Sequence, residues 1–224
     1  MGHAVTFHRP VRCARWRCDR DGDYAGTAVH GRPADCVKLA LSNLIDGPVD
    51  LVLSGMNAGA NIGINVIYSG TVAAAMEAAF LGVPSIAVSL HIGDPSKTRW
   101  HAAAAHARSA IDRILAGPLR PHSVINLNVP ILDDGAEPRG TKVVPISTSP
   151  LIDDYESSED ETGDTSYRVR SSMSFRHTAP DSDVAALFAK YITITPLHFD
   201  LTLHSQLAAW GEHVGEGSKR RRVD

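Results

Sequence analysis

A glycine- and asparagine-rich stretch between two pieces of regular structure constrains this chain more than any other feature. It reads Ser54-Gly55-Met56-Asn57-Ala58-Gly59-Ala60-Asn61-Ile62-Gly63 and runs on to Tyr68-Ser69-Gly70-Thr71. Before it, residues 49–53 form a short apolar run that reads as a buried strand. After it, residues 72–81 are alanine-rich and free of helix breakers. The stretch is therefore predicted to be a long loop from strand to helix. Its glycines allow sharp turns and close approach of backbone to a ligand. Ser69-Gly70-Thr71 stands where the helix starts, and a helix N-terminus offers unbonded N–H groups and a positive dipole end that suit a phosphate. Ser69 and Thr71 add hydroxyls, while Asn57 and Asn61 add amide oxygens able to face a hard cation. A capped helix after a flexible loop accounts for Ser69-Gly70-Thr71 alone. The asparagines and glycines in the same loop tilt the reading toward an anion or metal site.

Those residues, written SGxNxGxN and then YSGTVxAAxE, resemble the SurE family of metal-dependent survival-protein nucleotidases. Further pieces match in the same order. Pro33-Ala34-Asp35-Cys36-Val37 is similar to the family's TPADCV, and residues 82–89 to its GxPxxAxS strand. Asn126-Leu127-Asn128-Val129-Pro130 resembles NxNVP, and residues 194–202 resemble the closing ITPLxxDLT. Each motif is weak alone; together, in this order, they are specific, and they cover residues 1–205.

The chain of 224 residues is long enough for one domain with a sizeable core. Its 43% hydrophobic and 21% charged content reads as soluble and globular. A net charge of −3 implies no general attraction to nucleic acid. Cys13 and Cys18 lack the second pair that a zinc site needs. Together with Cys36 they are read as reduced thiols of a cytoplasmic protein. Neither a signal-peptide pattern nor an apolar run long enough to span a bilayer is found, so no membrane partner is expected.

Taken in order, residues 1–7 are expected to enter an alternating strand. Arg9, Arg12, Arg15, Arg17 and Arg20 surround Trp16, a combination that can grip a nucleotide; a solvated edge strand explains the same pattern. Residues 19–23 form an aspartate-rich turn without the later glutamate of a calcium loop. A strand over 24–30 follows, then a helix from Pro33 to Leu44 with Val37, Leu41 and Leu44 on one face. Arg32 is a phosphate contact or a surface substitution. Asp35 suits the positive helix start. Buried strands are expected at 85–90 and 123–128, with a helix over 97–115 between them. His101 and His106, five apart, do not share a helix face as a metal pair would and are read as surface groups. Strands at 141–146, 167–175 and 191–195 complete the pattern. The acidic run 153–164 is read as a solvated like-charge block rather than a metal pair, and the basic residues 219–222 as a frayed end.

Strands alternating with helices argue for a mostly parallel sheet covered on both faces, with ligands beyond the carboxyl ends of its strands. The resemblance implies a Rossmann-like three-layer αβα domain over 1–205, a later β-hairpin arm that builds a homodimer or homotetramer, and a tail over 206–224. It also implies a phosphomonoesterase acting on nucleoside 5′- and 3′-monophosphates with magnesium or manganese. Carried over by position, Asn57 is the metal ligand. Ser69, Gly70 and Thr71 hold the phosphate, Gly2 and His3 border it, and Asn61 and Asn65 stand second in line. In the family an opening unit with two adjacent aspartates, and a metal-binding serine, precede the glycine and histidine that match Gly2 and His3; this chain is read as lacking that unit and the first strands it supplies. Asn65 stands where the family commonly has aspartate. The alternative expectation is a phosphate-binding, oligomerising protein without metal-dependent turnover.

Overall fold

The computed structural model describes residues 2–18, 24–150, 154–170, 175 and 177–219. Its centre is a five-stranded sheet of order β3-β4-β5-β9-β6, with β3 (Val52–Ala58), β4 (Ser85–Leu90), β5 (Val124–Val129), β6 (Thr141–Val143) and β9 (Ile192–Leu197). Strands β3, β4 and β5 are mutually parallel, β9 runs antiparallel to β5, and β6 is parallel to β9. All residues of β4 are buried, because helices cover both of its faces. On one face Ile86, Val88 and Leu90 meet Ala103, Ala107, Ala110 and Ile111 of α3 (Trp100–Leu115), with Leu127 and Val129 beside them. On the other face Ala87 and Val124 meet Val72, Ala75 and Ala79 of α2 (Gly70–Phe80). Alanines on the inner side of both helices let them lie close to the sheet. Burial of each large aliphatic side chain in these layers contributes roughly 1.5–3 kcal/mol.

The first helix, α1 (Pro33–Leu39), lies over α2, and a π-helical turn (Ala40–Leu44) continues it. This explains why α2 is buried nearly all round. A short helix, α4 (Asp183–Phe188), packs Val184 and Leu187 on Ala60 and Ile62 of the central loop. Three further elements lie outside the central sheet: the antiparallel pair β1 (Cys13–Cys18) and β2 (Tyr24–Val29), the antiparallel pair β7 (Tyr155–Glu159) and β8 (Thr165–Val169), and α5 (His204–Lys219). The three-layer α/β reading with a mostly parallel sheet agrees with this architecture.

Local differences from expectation have physical causes. The buried strand predicted over 49–53 begins at Val52 and continues through Ala58, so the first five residues of the supposed loop are sheet. It sits at the sheet edge among the described residues, with Leu53 52% exposed. Residues 2–7 are not a strand. Instead the Thr6 amide and hydroxyl both donate to the Asp35 carboxylate, at 2.8 and 2.7 Å. The expected strand at 141–146 stops at Val143. Part of the acidic run is β7, whose residues are all exposed, as a solvated block should be; its paired strand β8 starts at Thr165 and ends at Val169. The helix expected from residue 97 starts at Trp100, after a 3-10 turn at Pro95–Lys97. The stretch read as a tail is helical as α5. The aspartate-rich turn 19–23, with Arg20, and the basic residues 220–222 lie outside the described residues. Cys13, Cys18 and Cys36 are not joined in disulfides among the described residues. The first two end one strand and stand about 17 Å apart by strand rise, too far to share an ion.

Asp35 joins three segments. Besides Thr6 it accepts from the Arg32 amide at 2.8 Å, closing the start of α1. Burial alone would raise its pKa, but these hydrogen bonds and the Arg32 charge outweigh it and hold the carboxyl below its ordinary value. A depressed carboxyl contributes stability that is present above the unfolded-state pKa and lost as pH falls through the folded one. Replacing Asp35 by Ala should cost about 2 kcal/mol or more in urea unfolding at neutral pH. The gap from wild type should be constant above the ordinary carboxylate range and narrow below it.

Candidate functional site

The site begins inside β3. Its register shifts between Ser54 and Asn57, and Gly55 has φ +124°. A side chain there would put its Cβ 2.2 Å from the Val88 carbonyl oxygen, so only glycine fits this approach. The irregularity delivers Asn57 to the carboxyl end of the sheet. Asn57 is half-buried, and its Nδ2 donates to the Gly59 carbonyl at 2.7 Å, which leaves Oδ1 as the atom available to a ligand. The Gly59 amide in turn donates to the Leu90 carbonyl of β4 at 2.9 Å.

Beyond Gly59 the loop crosses the sheet and is locked from below. The Asn61 amide donates to Asn128 Oδ1 at 2.8 Å. The Asn61 carbonyl accepts from Asn126 Nδ2 at 2.8 Å and Asn128 Nδ2 at 3.1 Å. Its side chain donates to Ser89 Oγ at 2.7 Å. Asn61 is thus bonded through both backbone groups and its side chain, in a buried setting. One turn later the Gly63 amide donates to Asp183 Oδ2 at 2.8 Å. Asp183 Oδ1 also accepts from Ser147 and Val184 amides, at 2.9 and 2.8 Å. Burial pushes the Asp183 pKa up, against the pull of these bonds. A 3-10 turn (Gly63–Tyr68), which holds half-buried Asn65, then leads into α2.

At the start of α2, Ser69 is the N-cap; its Oγ accepts from the Val72 amide at 3.1 Å. The amides of Gly70 and Thr71 lie ahead of the first intrahelical bond and have no partner within the helix. A Cβ at Gly70 would sit 2.9 Å from Pro33 Cγ, so glycine is what lets α1 close over this end. Arg32, exposed, precedes Pro33 and therefore stands beside the same helix end. Gly2 borders it too, its amide donating to the Tyr68 carbonyl at 3.0 Å. The His3 ring turns away. It stacks on Phe80 and lies 3.3 Å from Glu77 Oε2, about 10 Å along α2 from Gly70 by helix rise. Glu77, 3% exposed, also pairs with Lys38 Nζ at 2.6 Å. These contacts tie α1 and the N-terminal segment to α2.

The structure therefore gathers Gly2, Arg32, Ser69, Gly70 and Thr71 at one helix end, with Asn57 on the same edge of the sheet. Asn61 serves as the lock of the loop. Sequence reasoning passed over Asn126, Asn128 and Asp183 as functional groups. A signal was present: asparagines alternating inside an otherwise apolar strand put two amides on one sheet face, where they need partners. The donor set does not fit a hard dication by itself. Asn57 offers one neutral oxygen, whereas magnesium and manganese sites use carboxylates. Among the described residues no group of three or more His, Cys, Asp or Glu side chains could hold a metal ion.

Replacing Asn128 by Ala removes the acceptor of the Asn61 amide and one donor to its carbonyl. It should destabilise the protein by about 1–3 kcal/mol. Hydrogen exchange should accelerate locally at Asn61 and Gly63, while the α3 amides stay protected.

The family profile described as "Survival protein SurE" matches residues 1–151. The chain is 38% identical over 212 residues to a 5'-nucleotidase SurE of Syntrophobacter fumaroxidans, covering 95% of this chain and 83% of that protein. It is 41% identical over 214 residues to a 5'-nucleotidase SurE of Rhodopirellula baltica, covering 94% and 83%. Among solved structures, the SurE protein from Aquifex aeolicus superposes with a TM-score of 0.77 at 30% identity, covering 94% of this chain and 82% of that one. The motif order, the sheet with its locked loop, and these likenesses across nearly the whole chain agree: the chain belongs to the SurE family.

Proposed function

We propose that this chain is a phosphomonoesterase that hydrolyses nucleoside 5′- and 3′-monophosphates to nucleoside and phosphate. The observation that carries the reading is the end of α2. The amides of Gly70 and Thr71, which have no partner within the helix, the Thr71 hydroxyl and the positive helix dipole belong to one helix end, beside Gly2 and Arg32. Such a cradle holds a phosphate dianion and, because its donors are fixed, stabilises the extra charge that develops as the ester bond breaks. The names of the relatives in Syntrophobacter and Rhodopirellula support the substrate class.

The same reading includes a divalent cation, magnesium or manganese, with Asn57 Oδ1 as a ligand. When bound, such an ion supplies charge neutralisation and a water of lowered pKa. The described residues offer it no carboxylate cluster. Assembly as a homodimer or homotetramer, through the exposed hairpins, and a cytoplasmic setting for the three cysteines belong to the reading as well. No helix among the described residues is long and apolar enough to cross a membrane.

A second reading is favoured by the lone Asn57 oxygen: the protein binds phosphate groups without metal-dependent turnover. Release of inorganic phosphate from 5′-AMP and 3′-AMP, with manganese, magnesium or chelator, separates the two. The first reading expects release that chelator stops and that Asn57→Ala lowers about a hundredfold. Folded protein that binds AMP and releases no phosphate under any condition would establish the second.

A further inference from the structure

A cavity of about 570 Å³ opens at the carboxyl ends of β4 and β5, between the loops that follow them and the first turns of α3. Its size lies within the roughly 300–1,000 Å³ typical of small-molecule sites. Ile92, Pro130, Ile131 and Leu132 give it apolar walls. Its charges are already compensated. Lys97 lies 3.8 Å from Asp94, and Arg99 lies 2.9 Å from Asp134. Asp133 adds a further carboxylate, which leaves one excess negative charge on the lining. A phosphate dianion entering here would meet net repulsion and no unpaired lysine or arginine. His91 also lines the cavity; burial first, then the nearby Lys190 charge, lower its pKa and keep the ring neutral at physiological pH. With Thr98 it offers uncharged hydrogen-bonding groups between the apolar walls.

One backbone link joins the rim of the cavity to the loop that leads on to the phosphate cradle. Leu90 lines the cavity, and its carbonyl receives the Gly59 amide at 2.9 Å. Asn57 and Ala58 pair with Ser89 and Leu90. The strand end that presents Asn57 therefore lies beside the end of β4 that lines the cavity.

We propose that this cavity is the nucleoside subsite. It takes the uncharged base and ribose of a nucleoside monophosphate, while the phosphate stays outside at the N-terminus of α2. The identity of this ligand rests on the phosphomonoesterase reading. Apolar walls suit the faces of a base, and His91, Thr98 and the carboxylates suit its edges and the ribose hydroxyls. The surplus of carboxylates keeps the anionic end of the substrate pointed toward the helix.

The test is calorimetric titration of the full chain with adenosine and, separately, with inorganic phosphate. Two variants narrow the cavity: Ala102→Leu on α3, and Ala136→Phe on the exposed loop after β5. Adenosine should bind the wild type, and each variant should weaken it by at least about tenfold, with phosphate affinity unchanged. The proposal falls if the wild type does not bind adenosine, if both variants bind it as the wild type does, or if phosphate affinity falls in step with adenosine. Should Ala102→Leu lose its circular dichroism signal, Ala136→Phe alone decides. Phosphate release from 5′-AMP is read in parallel. No turnover, together with adenosine binding that the variants weaken, defeats the phosphomonoesterase reading and upholds the subsite. Turnover with unaltered KM in both variants defeats the subsite and leaves the phosphomonoesterase reading standing.

Discussion

The backbone of Asn61 is held at its N–H and its C=O by side chains of a single buried strand, and the geometry of the site depends on that clamp. A loop rich in glycine has much conformational entropy to lose. Here the loss is offset by buried hydrogen bonds whose partners sit on the middle strand of the central sheet. Asn126 and Asn128 lie in β5, flanked by β4 and β9, so they cannot move without the sheet. Asp183 repeats the device one turn further on, binding the Gly63 amide from α4. Between these two fixed points the chain has little choice but to start α2 where it does. Helix and sheet are then locked in a relative position that brings the first amides of α2 to the edge where Asn57 stands.

Packing and electrostatics reinforce the arrangement from outside. The close contact between Gly70 and Pro33 brings α1 over the helix end. Glu77 and Asp35, both buried carboxylates, fasten α1 and the N-terminal segment. A buried carboxylate is costly unless its oxygens are occupied, and each of these has several partners. Removing one partner would leave charge uncompensated, so the segment bearing Gly2 is held beside Tyr68 by more than its own single backbone bond. Negative charge is thus used twice as fastening, and at the neighbouring cavity a third time as exclusion. There the paired Lys97 and Arg99 leave an acidic remainder, whereas the phosphate cradle relies on amides and a helix dipole.

Much of this was legible in the residues. The alternation of apolar strands with alanine-rich helices gives the three-layer fold directly, since each element can be buried only against the next. Ser69-Gly70-Thr71 announces a helix start, and the structure makes Ser69 the N-cap. The limits of β3 were not legible. Glycine and asparagine signal a loop by propensity, but sheet pairing with β4 overrides propensity when a bulge can absorb Gly55. The opening residues mislead for the opposite reason: their alternation suits a strand, but a carboxylate distant in sequence captures the Thr6 amide. The clamp itself was hidden because Asn61 resembles a ligand as readily as a lock. Only the register that sets Asn126 and Asn128 beneath it decides between them.

The proposed activity requires that the first turn of α2 receives phosphate. Amide chemical shifts followed by NMR during titration with 5′-AMP address this directly. The largest shifts are expected at Gly70 and Thr71, saturating with AMP and reproduced at those two amides by inorganic phosphate alone. If those amides stay still while AMP binds, and the saturating shifts cluster elsewhere, the helix end is a structural cap and the site lies in another part of the molecule.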